Sequence, residues 1–409
     1  MTDKKFPLKG IKVVDLSTVV AAPTAAELLS MFGAEVIKVE SLEGDGQRDV
    51  GPSFLTPGTD ECNPLYTLQN ANKKHISVNL KSKEGMEIMT KLLEDADIFL
   101  SNIRTKSLER LGLDYETLKE KYPRLIYAHF SGYGAEGPNK DDPGYDSTVF
   151  WLRGGMVADW NMEGMDYPFG PTYAFGDTVT ASSFFAAILL ALQGRALYGE
   201  GTKVESSLYS SAIWCNGQGV VMTQFGKKTL NPDPKAISNP LNGYYLCGDD
   251  VWFNICNVKA YEIDVFRIAE VLGIKDQVDA DERFHTMEAL TGNKCSYELR
   301  RLMEDAFRTK PAAEWKKLFQ KISMPCDVAV RTNSIGTDEQ AIVNHYVEEV
   351  VYRDGTKVMM PVPPMFLSNY DRKPFTPTGA PSEHAAEILE SLGYCEADID
   401  ALRKNGAIK

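Results

Sequence analysis

Apolar runs and amphipathic stretches alternate along the first 130 residues. Runs rich in Val, Ile, Leu and Phe occupy 11–17, 34–40, 97–102 and 124–132. The segments between them, such as KEGMEIMTKLLEDA, repeat apolar residues at the spacing of a helix with one buried face. Apolar strands separated by such helices are typical of a parallel sheet covered on both faces. The pattern therefore predicts an α/β fold with a doubly wound parallel sheet.

The pattern changes after about residue 144. The stretch 151–170 mixes aromatic and methionine residues with glycines and has no regular period, and a small-residue helix is predicted from about Thr178 to Gln193. The polar, proline-rich segment 226–240 is typical of a linker. Beyond it, YYLCGDDVWFNIC and VEEVVYRDGTKVMM read as hairpins, PAAEWKKLFQKI as a helix, and 382–404 as one or two short helices.

Composition and charge narrow the functional classes. The chain has 409 residues and a formal net charge of −13, which disfavours a nucleic-acid partner. Its longest apolar stretch, Phe184 to Leu192, is about half the length of a membrane-spanning helix. The start MTDKKFPLKG carries no signal-peptide pattern, so we expect a cytoplasmic protein with no membrane partner. Seven scattered cysteines without a CxxC pair predict reduced thiols and no metal site.

Basic and amide side chains follow successive predicted strands. No glycine-rich phosphate motif follows the first strand, where Ser17 to Pro23 stands instead, and this argues against a nicotinamide-dependent dehydrogenase. Because ligands of parallel sheets bind at the carboxyl ends of strands, polar groups there could hold phosphates. Four residues fit that position: Lys81, Asn102, Arg104 and Arg110. Taken singly, each could equally be a solvated surface group.

Asp177 stands between the irregular aromatic stretch and a helix that begins with small residues. Two interpretations of its carboxylate remain open from the local sequence. Aspartate commonly caps a helix N-terminus. The same position also keeps a carboxylate ionised, and an ionised carboxylate can act as a covalent nucleophile.

Several longer segments resemble one known family over essentially the whole chain. The segments are PLKGIKVVDLSTVVAAP, MFGAEVIKVES, NKKHISVNLK, SNIRTKSLERLGLDYETLKEKYPRLIY, SGYGAEGP, PGYD, FGDTVTA and PSEHAAEILESLGY. Through them the sequence resembles the family III CoA-transferases, also called the formyl-CoA transferase or carnitine-dehydratase-like family. Within that family it is most similar to the 2-hydroxyisocaproate and phenyllactate CoA-transferases of amino-acid fermentation. The resemblance implies CoA thioesters as substrates and no permanently bound cofactor.

The resemblance also implies roles for individual residues. Asp177 would be the catalytic aspartate that forms a covalent aspartyl intermediate. The implied CoA contacts are Val20, Ala21, Val78, Lys81, Asn102, Ile103, Arg104, Arg110, Tyr145 and Asp146. The formyl-CoA enzymes carry Gln at the position of Val20 and Arg at that of Ser41, so this chain lacks one amide donor and one cation. The family's glycine-rich shielding loop is not evident here either. Backbone N–H groups near Gly154, Gly155 and Gly176 are candidate oxyanion donors.

An assembly follows from the same resemblance. It implies a Rossmann-like large domain, without GxGxxG, and a smaller α+β domain, in an interlocked dimer whose two subunits thread through each other. The domain limits are then 1–225 for the N-terminal part of the large domain, 226–330 for the small domain, and 331–409 for the part that returns to the large domain.

The specific reaction stays open between related activities. The leading expectation is transfer of CoA from an acyl- or enoyl-CoA to a 2-hydroxy carboxylic acid, since aromatic and methionine side chains of 151–170 suit a branched or aromatic acid. The alternative for those side chains is packing in the core or an interface. Other family III transferases act on formate and oxalate, carnitine or bile acids. Racemases of α-methylacyl-CoA use a Gly-His-Asp turn where this chain has Gly144-Tyr145-Asp146, and tyrosine is a poor base at pH 7. A non-catalytic CoA-binding protein is the third class.

Overall fold

A six-stranded parallel sheet organises the N-terminal half of the chain. The structure, a computed structural model, describes residues 4–161, 166–226 and 238–409. The strands are β1 (Lys12–Leu16), β2 (Glu35–Glu40), β3 (Lys74–Ser77), β4 (Ile98–Ser101), β5 (Ile126–Ser131) and β6 (Lys203–Ser207). They are all parallel, in the order β3-β2-β1-β4-β5-β6. The predicted α/β parallel sheet is thus confirmed. The strand order reverses between β1 and β4.

Helices cover both faces of this sheet. They are α1 (Ala21–Met31), α2 (Pro64–Asn70), α3 (Lys83–Glu94), α4 (Thr105–Leu111), α5 (Tyr115–Lys121), a π-helix (Asp146–Arg153), α6 (Met156–Trp160), α7 (Phe175–Tyr198), α8 (Leu208–Cys215) and α9 (Gly217–Thr223). Short 3₁₀ turns occupy Gly46–Asp49 and Gly51–Phe54. In β4, Ile98 and Leu100 pack with α1 and α7 on one face, whereas Phe99 packs with α3 on the other. Burial on both faces explains why the strand is apolar throughout.

Helix α7 is the longest element of the described chain. By length and composition alone it could span a membrane. Its residues Ala181, Phe184 and Ile188 are fully buried in the core that also contains α1. The buried core helix of a globular domain can have the same length and composition as a membrane span, so α7 is only weak evidence for a membrane-spanning segment.

Residue contacts divide the chain into two compact units. The first comprises Met1–Asp159, Pro168–Lys227 and Glu339–Lys409, and the second comprises Trp160–Tyr167 and Lys228–Asp338. Within the second unit, β7 (Asn242–Leu246), β8 (Trp252–Cys256) and β9 (Cys326–Val328) form an antiparallel sheet, which confirms the first predicted hairpin. Its helices are α10 (Tyr261–Leu272), α11 (Lys275–Asp279), α12 (Met287–Gly292), α13 (Ser296–Phe307) and α14 (Ala312–Lys321), with 3₁₀ turns at Glu282–Phe284 and Thr332–Thr337.

The C-terminal segment belongs to the first unit. It contains α15 (Glu339–Val343), the hairpin of β10 (Val347–Val351) and β11 (Lys357–Pro361), α16 (Ala385–Ser391) and α17 (Glu396–Lys404). Its end lies along the outer edge of the parallel sheet, where Ile408 bridges Val78 and the N–H of Asn79 donates to the carbonyl of Ala407 (2.8 Å). The predicted linker overlaps 227–237, and Met162 and Met165 belong to the aromatic stretch; these positions lie outside the described residues.

Candidate active site

A cavity of about 410 Å³ opens where the strand order reverses. The loops after β1, β4 and β5, the turn at Pro143–Tyr145 and the start of α7 line it. In open parallel sheets this reversal leaves a crevice at the carboxyl ends of the strands, because neighbouring connections leave in opposite directions. The cavity therefore lies where the sheet topology predicts a ligand.

A buried ion pair holds the loop between β1 and α1. Lys38, in the middle of β2 and fully buried, donates through Nζ to Asp45 Oδ2 (2.8 Å) and to the carbonyl of Ser17 (2.6 Å). Asp45 Oδ1 accepts from Thr18 Oγ1 (2.7 Å) and from the N–H of Val19 (3.0 Å). Burial opposes the Lys38 charge, but nearby carboxylates, Asp45 first, raise the pKa of Lys38. Both groups are therefore ionised at neutral pH, and together they hold the loop.

The loop contains a backbone conformation that needs such support. Val19 has φ +69°, the left-handed region that β-branched residues rarely adopt. On its other side, Asn102 at the end of β4 clamps Thr18: Oδ1 accepts from the Thr18 N–H (3.0 Å), and Nδ2 donates to the Thr18 carbonyl (2.8 Å). The strained loop is thus fixed by β2 and β4 together. It presents Val19, Val20 and the start of α1 to the cavity.

Asp177 lies in the first turn of α7 and lines the cavity. The helix begins at Phe175, with Ala174 at the N-cap in the left-handed region (φ +59°). The interpretation of Asp177 as the helix cap is therefore wrong, because Ala174 occupies the N-cap position and Asp177 is the third residue of the helix. Its carboxylate is left available to a ligand in the cavity.

A second carboxylate, Asp146, lies beside the same turn. Burial raises the pKa of Asp177 to about 7, and the negative charge of Asp146 adds to the rise. Burial likewise raises the pKa of Asp146 to about 6, although the nearby polar groups of Gly176, Trp151 and Asp177 act in the opposite direction. The two acids are therefore desolvated neighbours that compete for charge.

The structure brings most of the expected site residues together and separates others. The cavity is lined by Val20, Ala21, Asn102, Ile103, Arg104, Tyr145 and Asp177. Val78 and Lys81 lie past β3 at the far edge of the sheet, and Arg110 is exposed at the end of α4, outside the cavity lining. Asp146 turns its Oδ1 inward to a buried position.

Two sequence-based expectations about the surroundings are not met. The N–H groups of Gly154 and Gly155 donate to the carbonyls of Val149 and Leu152, so these two are not free oxyanion donors. From the aromatic stretch, Trp151 and Met156 are buried in the core rather than lining the cavity. The alternative of core packing is correct for those two side chains.

Some residues of the site were not predicted from the sequence. Thr18, Lys106 and Lys140 also line the cavity, and Lys106 forms an ion pair with Asp141 on the opposite rim (2.8 Å). The Lys38–Asp45 pair beneath the loop was also missed. A lysine inside the apolar strand AEVIKVE was the available signal, because a cation in a strand covered on both faces requires a buried partner.

Comparison with known proteins gives one consistent result. A model of CoA-transferase family III matches residues 8–384. The chain is 35% identical over 402 residues to (R)-2-hydroxy-4-methylpentanoate CoA-transferase of Clostridioides difficile, covering 98% of this chain and 99% of that protein. It is also 35% identical over 402 residues to cinnamoyl-CoA:phenyllactate CoA-transferase of Clostridium sporogenes, covering 97% and 96% of the two chains.

Solved structures agree with the fold. A CAIB/BAIF family protein from Brucella suis superimposes with a TM-score of 0.80 at 27% identity, covering 95% of this chain and 100% of that one. A protein from Mycobacterium tuberculosis in an orthorhombic crystal form gives a TM-score of 0.80 at 25% identity, covering 94% and 100%.

Proposed function

The chain belongs to CoA-transferase family III, and from that premise we propose that it moves CoA from an acyl- or enoyl-CoA to a 2-hydroxy carboxylic acid through a covalent intermediate at Asp177. The observation that carries the proposal is the position of Asp177: a desolvated carboxylate that lines the cavity at the strand-order reversal. A carboxylate with little water around it is a stronger nucleophile than a solvated one.

The proposed reaction exchanges the acyl group in four balanced steps. An Asp177 oxygen attacks the donor thioester carbonyl, and the C–S bond breaks with its electron pair leaving as CoA thiolate. The thiolate attacks the aspartyl carbonyl and expels the donor carboxylate, which leaves an aspartyl thioester. The incoming 2-hydroxy acid attacks that thioester and again releases thiolate. The thiolate then attacks the acyl carbonyl of the mixed anhydride, which regenerates Asp177 and retains the thioester bond energy.

The cavity offers groups for the negative charges of these species. Arg104, Lys106 and Lys140 line its rim and suit the phosphates of CoA. Helix α1 begins at the cavity, and its N-cap Val20 provides no side-chain acceptor for the first-turn N–H groups. Those N–H groups suit a carboxylate or an oxyanion. We propose that they take the role that the glutamine at this position has in the formyl-CoA enzymes.

Apolar surface near Asp177 supports a branched or aromatic acid. Tyr173 lies close enough for the Asp177 charge, added to burial, to raise the pKa of its phenol. Its ring packs at a tilt against that of Phe54, with 4.7 Å between ring centroids, and its hydroxyl donates to Gln47 Oε1 (3.0 Å). The two relatives at 35% identity are named for a branched and an aromatic 2-hydroxy acid, and this agrees with such a wall.

The decisive experiment traps the intermediate. The protein is incubated with an acyl-CoA and no acceptor, treated with hydroxylamine or borohydride, and digested for mass spectrometry. We expect the modification on the peptide that contains Asp177. Asp177→Asn should abolish the label and lower turnover by about 10³-fold or more, as for loss of other covalent nucleophiles. CoA binding, measured by calorimetry, should change little because the nucleotide groups come from other elements.

Two results would contradict the proposal. An Asp177→Asn protein that keeps its turnover excludes the aspartyl intermediate. Deuterium uptake at the α-carbon of an acyl-CoA, without transfer to any acid, would identify a racemase instead. The acceptor is tested separately by comparing kcat/KM for 2-hydroxyisocaproate, phenyllactate, oxalate and carnitine. Preference for oxalate would contradict the branched or aromatic acid.

We further propose that the protein works as an interlocked homodimer in the cytoplasm, with domain limits near 1–225, 226–330 and 331–409. The family resemblance implies Val78, Lys81 and Arg110 as further CoA contacts; these three lie outside the cavity lining, and that part of the resemblance stays a prediction. All seven cysteines are free thiols, which agrees with a reducing compartment.

A further inference from the structure

A second cavity, of about 330 Å³, opens at the other end of the parallel sheet from the candidate active site. Lys12, Glu35 and Lys74, the first residues of β1, β2 and β3, line it. The candidate active site lies at the carboxyl ends of the strands, about 15 Å away along β1. Pockets that hold small organic ligands start at about 300 Å³. The second cavity can therefore hold one compact molecule.

The deepest part of this cavity is apolar. Val36 of β2, Leu92 of α3 and Ile388 of α16 line it, and all three are buried in the core of the first unit. Burial of apolar surface against such side chains stabilises a complex by about 25 cal/mol per Å². The cavity therefore suits a ligand with an apolar body.

Four lysines line the same cavity, and two of them have acidic partners. Lys12 forms an ion pair with Asp95. Lys74 Nζ lies 2.8 Å from Glu387 Oε1. The charges of these two lysines are thus already compensated.

The other two lysines, Lys91 and Lys373, lack such partners. Lys91 Nζ donates to the carbonyl of Leu392 (3.3 Å) and lies 3.9 Å from the centre of the Tyr394 ring. Lys373 is partly buried; burial lowers its pKa, and the negative charge of Glu35 acts in the opposite direction. In the part of the chain that the structure describes, no carboxylate lies within ion-pair distance of either ammonium group. Partly desolvated cations without an anion favour a negatively charged ligand.

The charges around the cavity leave one positive charge uncompensated. Its four lysines are matched by three carboxylates, those of Glu35, Asp95 and Glu387. Asp398 of α17 also interacts with Lys91, but its side chain is exposed and the interaction is screened by solvent. One carboxylate would balance the remaining charge. A phosphate monoester, with nearly two negative charges at pH 7, would exceed it.

We propose that this cavity is a second binding site, which takes a monocarboxylate with a compact apolar body and balances its charge with Lys91 and Lys373. The apolar body contacts Val36, Leu92 and Ile388. The residues of this site come from β1, β2, β3, α3, α16 and the adjoining segments, and none of them lines the candidate active site. Binding here therefore does not depend on the reaction proposed for Asp177.

The test titrates the full-length protein with benzoate in a calorimeter, with benzamide as the neutral analogue of the same shape. We expect benzamide to bind about tenfold more weakly than benzoate. Lys91→Gln and Lys373→Gln should each weaken benzoate binding by about tenfold, the loss expected for a hydrogen bond to a charged group. Lys83→Gln is the matched control, because Lys83 is also on α3 but pairs with Glu87 and lies outside the cavity. It should bind benzoate as the wild type does.

A further variant changes the space in the cavity without changing its charge. Ser391, the last residue of α16, is exposed and lines the cavity. Ser391→Trp should therefore obstruct the cavity and weaken benzoate binding by about tenfold or more. Thermal melting checks that every variant is folded, and Ser391→Trp keeps the test decisive if a lysine variant folds poorly.

Three results would overturn the second site. They are no binding of benzoate to the wild type, equal binding of benzoate and benzamide, and benzoate binding that none of the three cavity variants weakens. The last result would place the acid elsewhere, for example in the candidate active site. None of these results affects covalent labelling of Asp177, so the proposed function would stand. Loss of that labelling would overturn the proposed function and leave the second site intact.

Discussion

Arg104 and Arg110 occupy opposite ends of α4. Arg104 is its N-cap residue and lines the cavity, whereas Arg110 lies in the last turn and outside the cavity lining. Both the sequence spacing and the family resemblance predict the two arginines as CoA contacts, because both follow β4. Their difference arises from the direction of the helix: a helix that starts at the sheet rim carries its last turn away from that rim.

Paired substitutions test this difference. Arg104→Ala should raise the KM for the CoA thioester by about 10- to 100-fold, the cost of a lost charge-assisted hydrogen bond, with little change in kcat. Arg110→Ala should raise the KM for the CoA thioester by less than about threefold under the same conditions, since the charge of Arg110 acts only through solvent. Steady-state kinetics at two ionic strengths measures both. Equal effects would show that CoA reaches Arg110 and would contradict the reading of the cavity as the nucleotide site.

At the scale of elements, the sequence predicts the strands and helices well and the contacts between them poorly. Strands β1, β2, β4 and β5 follow from their apolar runs, since burial on both faces determines their composition. The start of α7 does not, because Asp177 resembles a cap by local sequence. The helix begins at Phe175, two residues earlier, with Ala174 at its N-cap in the left-handed region and no side chain capping it. Of the cavity lining, Asn102, Arg104 and Asp177 were predictable from the sequence, whereas Lys81 and Arg110 lie outside it. Contacts made across elements, such as the Lys38–Asp45 pair, were not predictable.

The Lys38–Asp45 pair joins β2 to the loop before α1, and its removal gives an element-scale prediction. Lys38→Met leaves Asp45 buried without its cation, so the free energy of unfolding should fall by about 3–5 kcal/mol. Lys38→Met combined with Asp45→Asn should recover part of the loss, since no unpaired charge remains. Denaturant unfolding measures both. The KM for CoA should also rise, because the Ser17 carbonyl loses its contact with Lys38 and Asp45, which accepts from the Val19 N–H, loses its cation.

An exposed pair on β1 provides the control. Lys12 pairs with Asp95 at the surface, with about half of the lysine side chain exposed, and Lys12→Met should cost less than about 1 kcal/mol. If the Lys38 variant cost no more than the Lys12 variant, the buried pair would not be what holds the loop.

For the whole molecule, exposed apolar side chains cluster in the sequence from α7 to α9. Leu190 is 74% exposed, Trp214 83% and Phe225 86%. Large exposed apolar side chains commonly mark a surface that another chain covers. They agree with the proposed self-association, which the sequence alone suggested only through the family resemblance.

Interlocking makes a prediction that ordinary dimerisation does not. Threaded subunits separate only after one of them opens, so tagged and untagged dimers should form no mixed dimers over hours in native buffer. Native mass spectrometry measures the exchange, and brief partial denaturation should permit it. Rapid exchange by a fully active protein would contradict interlocking, and a monomer by light scattering would contradict the dimer. Trp214→Glu, which charges the exposed apolar surface, should weaken the association.

The outer edge of β3 has a consequence for synthesis on the ribosome. His75 and Ser77 find their edge partners in His384 and Ser382, and the Asn79 side chain bonds to Gly406, 327 residues later. At about 5–20 residues per second, that partner emerges roughly 15 to 65 s after Asn79. Throughout this interval the nascent sheet presents an open strand edge, a template for wrong pairing. Cells that make this protein must therefore keep its first half from aggregating until its last segment arrives, and slow translation lengthens that exposure.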